Sequence, residues 1–269
     1  MKVFQFIFLM LLIGGLLLVY MPSHNLFAQE QEKGKGELED FGDDYGDEDS
    51  ESDSDAEDAA EFFIIAFFDN FGDFVRLWGR APGTESGPYP SFPYDKSDGF
   101  MASSKDHRSY FFTTEFSYHD LSPDPVKSFI FKWESQFVHR SKLSFDLSFY
   151  EEDLGLRKDH LSIYGIRYGY ALYRTPQFIV NLEGGFRGFQ RNKVHGGIEV
   201  AVDAQLFPKK PLIIETEIAA AYISNGPLFT VESSAGILLG RFEILGGLRL
   251  LKSKDSILDG YRIGLRIWY

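Results

Sequence analysis

From Arg108 to Tyr269 the chain falls into ten segments of about ten to twelve residues, each alternating apolar side chains with small or polar ones, with turn residues between them. A strand sends successive side chains to opposite faces, so every segment has two faces of different character. One is aromatic and aliphatic: Tyr110, Phe112, Phe116 and Tyr118 in the first segment, Phe129, Phe131, Trp133 and Phe137 in the second, Tyr164, Ile166, Tyr168 and Tyr170 in the fourth. The other carries sixteen charges: Glu115, Lys132, Glu134, Asp146, Arg167, Glu183, Arg187, Glu199, Asp203, Glu215, Glu217, Glu232, Glu243, Arg249, Arg262 and Arg266. A soluble barrel puts its apolar face inside and its polar face in water. A charge facing lipid at the midplane costs roughly 2–4 kcal/mol, so here the uncharged face is expected to meet lipid and the charged face a lumen. Aromatics at the segment ends, such as Tyr110, Phe137, Tyr170, Tyr222 and Phe229, match two interfacial girdles.

The last segment repeats the pattern. Tyr261, Ile263, Leu265, Ile267 and Tyr269 share one face, and Arg262, Gly264, Arg266 and Trp268 the other. An amphipathic terminal strand ending in an aromatic resembles the closing strand of bacterial outer-membrane β-barrel proteins. The resemblance covers residues 108–269 together with an export signal. It implies an all-β fold, a transmembrane antiparallel up-and-down barrel of about ten strands. It also implies outer-membrane lipid as the medium and the barrel-assembly machinery as a partner in biogenesis, with Tyr261, Ile263, Leu265, Ile267 and Tyr269 as the insertion signal. It implies no activity, because this architecture hosts porins, proteases, lipid-modifying enzymes and inert anchors.

The preceding residues are expected to divide into four parts. Residues 1–28 read as a signal peptide: Lys2, an apolar run over 3–21, and Leu26-Phe27-Ala28 before a cut at Gln29. Residues 29–60 have almost nothing to bury and read as a disordered acidic segment. The net charge of −13 comes from this region, since residues 37–61 hold fourteen Asp and Glu and no Lys or Arg, leaving 26 acids against 27 bases elsewhere. Residues 61–80 place Ile64, Phe67, Phe68, Phe71, Phe74, Val75 and Trp78 at helical spacing, predicting a short amphipathic helix on the membrane surface or against the barrel. Residues 81–107, with four prolines amid Gly, Ser and Tyr, read as a linker or plug.

The composition excludes several chemistries. With no cysteine, disulfides, thiolate catalysis and Cys-based metal sites are impossible. No basic cluster points to nucleic acid, no spacing to a calcium loop, and no motif to a phosphate, dinucleotide or zinc-helix site, so neither metal nor cofactor is expected. The candidates for catalysis are His119, His195 and His160 near the outer rim, with Asp120, Ser122, Asp153 and Asp159 in neighbouring stretches. General-base chemistry needs such partners within hydrogen-bond reach. The favoured expectation is a non-enzymatic outer-membrane barrel with a structural, binding or limited transport role and the N-terminal segment in the periplasm. The alternatives are a rim-site hydrolase or acyltransferase, and a soluble lipid-binding barrel. Twelve of the inward charges form the expected lumen network: Glu115, Glu134, Arg167, Glu183, Arg187, Glu199, Asp203, Glu215, Glu217, Arg249, Arg262 and Arg266. They are expected to neutralise one another and fill the lumen.

Overall fold

The computed structural model describes Leu38, Phe41 and residues 89–95, 97, 99–100, 108–121, 126–137, 140–154, 158–191, 194–224, 226–254 and 256–269. The expected signal peptide and amphipathic helix lie outside the described residues.

Ten strands follow one another along the chain: β1 (Tyr110–Leu121), β2 (Val126–Phe137), β3 (Ser141–Asp153), β4 (Lys158–Arg174), β5 (Phe178–Gln190), β6 (Val194–Lys209), β7 (Leu212–Ile223), β8 (Gly226–Leu239), β9 (Phe242–Lys252) and β10 (Ile257–Trp268). Each pairs antiparallel with its sequence neighbours, and β10 returns to β1, so the sheet is a closed barrel without a free edge. Across the closing seam Glu115 stands opposite Arg266, and Phe116 opposite Leu265. The all-β, ten-stranded up-and-down architecture is the one the sequence periodicity predicts.

Burial alternates along the strands; in β7 every second residue is buried, from Ile213 to Ile223. The buried set points into the lumen and the exposed set is the apolar one, with Phe129 65% and Tyr261 70% exposed. Two apolar clusters lie inside the barrel, one at each mouth. The near mouth, where β1 begins and β10 ends, holds Phe111, Ala171, Ile179, Phe207, Ile213, Leu238 and Trp268. The far mouth holds Leu121, Val126, Tyr150, Leu161, Ile163, Phe189, Ile223, Leu251 and Leu258. The inward charges occupy the space between.

Two features depart from the sequence reading. The periodicity puts far-mouth loops near 119–127, 151–160, 189–195, 224–227 and 252–258, but the strands run on and leave at most four residues between them. Polar residues there extend the ladder past the apolar band: Asp120 pairs with Lys127, and Lys127 with Glu151. Secondly, a register shift between Ala171 and Tyr173 reverses the alternation at the end of β4, which turns Arg174 inward and buries it.

The β8–β9 turn rests on Gly240, at φ 67°, a left-handed conformation that costs a residue with a Cβ about 1–2 kcal/mol. A Cβ there would meet no atom within 4 Å, so the penalty is conformational alone. Gly240→Val should therefore lower stability in detergent micelles by about 1–2 kcal/mol, and Gly240→Asn by less, read from urea midpoints. Equal midpoints for all three proteins would contradict the turn geometry.

Candidate functional site: the charged lumen and its mouths

All sixteen charged residues named from the alternation are buried inside the barrel. Antiparallel pairing brings them together from strands far apart in sequence. Arg167 makes two parallel bonds to Glu217, Nη1 to Oε1 at 2.8 Å and Nη2 to Oε2 at 3.1 Å, the fork geometry that suits guanidinium to carboxylate. Arg187 binds Glu199 at 2.7 Å and also Asp146. Arg266 Nη2 reaches Glu115 at 2.6 Å across the seam and its Nη1 reaches Glu215 at 2.5 Å. Glu232 gathers three cations: Arg262 at 2.7 Å, Arg249 at 2.9 Å, and Lys132. Hydroxyls complete the lattice, as Arg249 Nη1 donates to Ser148 Oγ at 3.0 Å and Ser144 Oγ to Glu183 Oε2 at 2.7 Å.

Lys142 is the residue the sequence reading missed. It sits beside the β2–β3 turn and is absent from the charges named by alternation, yet its side chain is wholly buried. Its Nζ lies 2.9 Å from Glu134, 2.8 Å from Glu183 and 3.0 Å from Asp203. Asn181 Nδ2 also donates to Asp203 Oδ2 at 2.8 Å. The signal available in the sequence was parity, because Lys142 falls in step with Ser144 and Asp146 on the inward face of β3. The inward glycines give the long side chains their room. A Cβ on Gly169 would come within 2.5 Å of Glu183 Cγ, and one on Gly236 within 1.9 Å of Glu243 Oε1.

The near mouth holds Tyr89, Tyr94 and Phe100 as an aromatic stopper. Tyr89 and Phe100 pack at 5.1 Å, Phe100 and Phe111 at 4.9 Å, Phe100 and Phe207 at 5.4 Å, and Phe111 stacks on Trp268 at 5.3 Å. Trp268 in turn donates its indole N–H to Glu243 at 2.9 Å, tying the aromatic stopper to the charged lattice. Polar anchors fix the segment to the wall. Tyr89 OH donates to Phe137 O at 2.9 Å, Tyr94 OH to Leu212 O at 2.6 Å, and Phe100 N–H to Pro176 O at 2.7 Å. The Arg174 guanidinium, turned inward by the register shift, lies 4.2 Å above the Tyr89 ring. Burial pushes the Tyr89 phenol up from 10.0 to about 12, against the opposing pull of Arg174.

The three histidines are placed apart in role. His119 is fully buried in the wall at the far mouth. His160 is exposed on the outer surface, 3.9 Å from Glu151. His195 is half-buried, with Nδ1 3.2 Å from Ser224 Oγ. The β10 residues Tyr261, Ile263, Leu265 and Ile267 face outward, and Tyr269 N–H donates to Phe112 O at 3.0 Å.

Two solved structures are similar to this chain in part: CdiB from Acinetobacter baumannii, at 9% identity and a TM-score of 0.31, and the β domain of the Bordetella autotransporter BrkA, at 8% and 0.32. The matched regions cover 58% of this chain and 40% of CdiB, and 60% of this chain and 98% of the BrkA domain. No protein-family model and no curated protein matches the chain.

Lys142→Met should remove the shared cation from three buried carboxylates, a change worth about 3–5 kcal/mol when a buried pair is broken. A urea midpoint equal to that of the unaltered protein would contradict the lattice. At the near mouth, a pKa raised in the folded state means the neutral Tyr89 phenol stabilises fully below pH 10.0 and loses that contribution as pH climbs towards about 12. The absorbance difference between wild type and Tyr89→Phe should accordingly show its phenolate step near pH 12. A step near pH 10.0 would mean the phenol is in water.

Proposed function

We propose that this protein is an integral bacterial outer-membrane barrel, non-enzymatic, with a sealed lumen and a structural or binding role in which any transport is slight. The observation that carries the reading is the inverted polarity of the wall. Carboxylates and guanidinium groups fill the inside, while Phe116, Phe129, Phe149, Ile166, Leu248 and Ile263 stand exposed outside. In water that exterior would be a far larger apolar patch than a soluble monomer tolerates, and in lipid it is the ordinary outer band. The paired lattice supports closure. Eight strands leave room only for side chains and open aqueous channels appear near sixteen, so ten strands lie close to the filled end. The barrel's ends would both lie in the periplasm, which puts the aromatic stopper on that side. In this orientation Leu38 and Phe41, from the segment expected in the periplasm, sit at the opposite mouth.

One contact favours a second reading. His195 and Ser224 meet at 3.2 Å beside the far mouth, and Ser224 holds a left-handed backbone at φ 48°. That pairing is the beginning of a base-activated serine. A fluorophosphonate probe that labels the wild type and spares Ser224→Ala would favour a rim hydrolase; equal or absent labelling would remove it.

The main reading is tested by fractionation with a boiled-versus-unboiled gel shift and by planar-bilayer recording. The protein should pellet with outer membranes, migrate differently when unboiled, and give little or no stable conductance. Val202→Arg, on the outward face of β6, should reduce the folded fraction by the cost of a lipid-facing charge, roughly 2–4 kcal/mol, whereas Val202→Leu should not. Recovery in the soluble periplasm, or porin-sized conductance steps, would overturn the proposal.

A further inference from the structure

Leu38 and Phe41 belong to a stretch, residues 29–60, whose only other large apolar side chain is Tyr45. Both are helical and both are fully buried. A spacing of three residues puts them on one face of a helical turn. That face is set into the far mouth among Leu121, Val126, Tyr150, Phe189, Ile223 and Leu258. The Phe41 ring lies 6.4 Å from that of Phe189, and the Leu38 N–H donates to Glu152 Oε2 at 3.0 Å.

We infer that the far mouth is a binding site for a Leu-x-x-Phe side-chain pair, and that the chain's own Leu38 and Phe41 fill it as a tethered stopper. The mouth is built by the barrel, since its lining comes from the ends of many different strands. Its inward side chains are aliphatic and aromatic where those deeper in the lumen are charged, so without an occupant an apolar ring would open to water. Electrostatics would not draw this segment in. Residues 37–61 carry fourteen acids, and the lattice below holds ten acids against seven bases once Lys142 joins the six cations named above. The attraction is therefore apolar burial by Leu38 and Phe41, with the Glu152 hydrogen bond setting the pose. Attachment to β1 through the intervening chain makes docking intramolecular, which favours the chain's own turn over that of a second copy.

The chain has no cysteine, so a pair can be introduced without background. Phe41→Cys/Phe189→Cys in the full-length protein, folded in detergent micelles, is treated with a short bifunctional thiol cross-linker and analysed by gel and peptide mass spectrometry. Only protein that shows the unboiled gel shift is scored. An intramolecular link between positions 41 and 189 is expected, and adding Leu38→Asp should lower its yield by about tenfold or more, the effect of exposing one large apolar side chain. If Phe189→Cys prevents folding, Leu38→Cys/Glu152→Cys tests the same contact. Folded barrel that does not cross-link, a yield indifferent to Leu38→Asp, or a product that is mainly covalent dimer would each overturn the inference, the last by assigning the turn to another copy.

Discussion

The ion lattice in the middle of the barrel is the interaction on which the rest depends. A carboxylate taken out of water without a partner is costly, and eleven are buried inside the barrel among the described residues, ten of them in the central lattice. Those in the lattice are tolerated because seven cationic side chains reach them, six of the seven touching two or more. Arg266 touches Glu115, Glu215 and Glu243, and Lys142 touches Glu134, Glu183 and Asp203. These partners come from separate strands, so the lattice requires closure of the sheet as much as closure accommodates the lattice. The seam itself carries one of the pairs, with Glu115 on β1 facing Arg266 on β10.

Around that centre the molecule is layered along the barrel axis. Charged side chains fill the middle, apolar rings line each mouth, and a segment of the chain itself enters each ring. At the near mouth Tyr89, Tyr94 and Phe100 do this, and at the far mouth Leu38 and Phe41. Both stoppers combine apolar packing with a few hydrogen bonds to the wall. In the proposed reading a lumen so occupied has little room for solute, and the function turns on the exterior and the mouths.

Much of the barrel was legible in the sequence because a strand's alternation is local. Neighbours such as Val202 and Asp203 must face opposite media, and the contrast between the two faces of each segment announced both the strand number and the polarity of the wall. The failures share a different cause. Asp120, Lys127 and Glu151 read as loop because they are polar, yet cross-strand partners keep them in the ladder beyond the apolar band. Arg174 was invisible as an inward residue because one register shift inverted its parity. Lys142 was hidden by its closeness to a turn, although its three carboxylates lie on three other strands.

By itself the sequence determined the class of fold, a count of about ten strands and which face of each strand is charged, since all three follow from the chemistry of adjacent residues. It could not determine which carboxylate meets which cation. That depends on the registers of ten strand pairs and on the closure of β10 against β1. Nor could it say what fills the mouths. A Leu and a Phe in an acidic tract, or a Tyr between prolines, carry no local mark of the pocket they enter. The pockets exist only where strand ends distant in sequence converge, and only the tertiary structure brings them together.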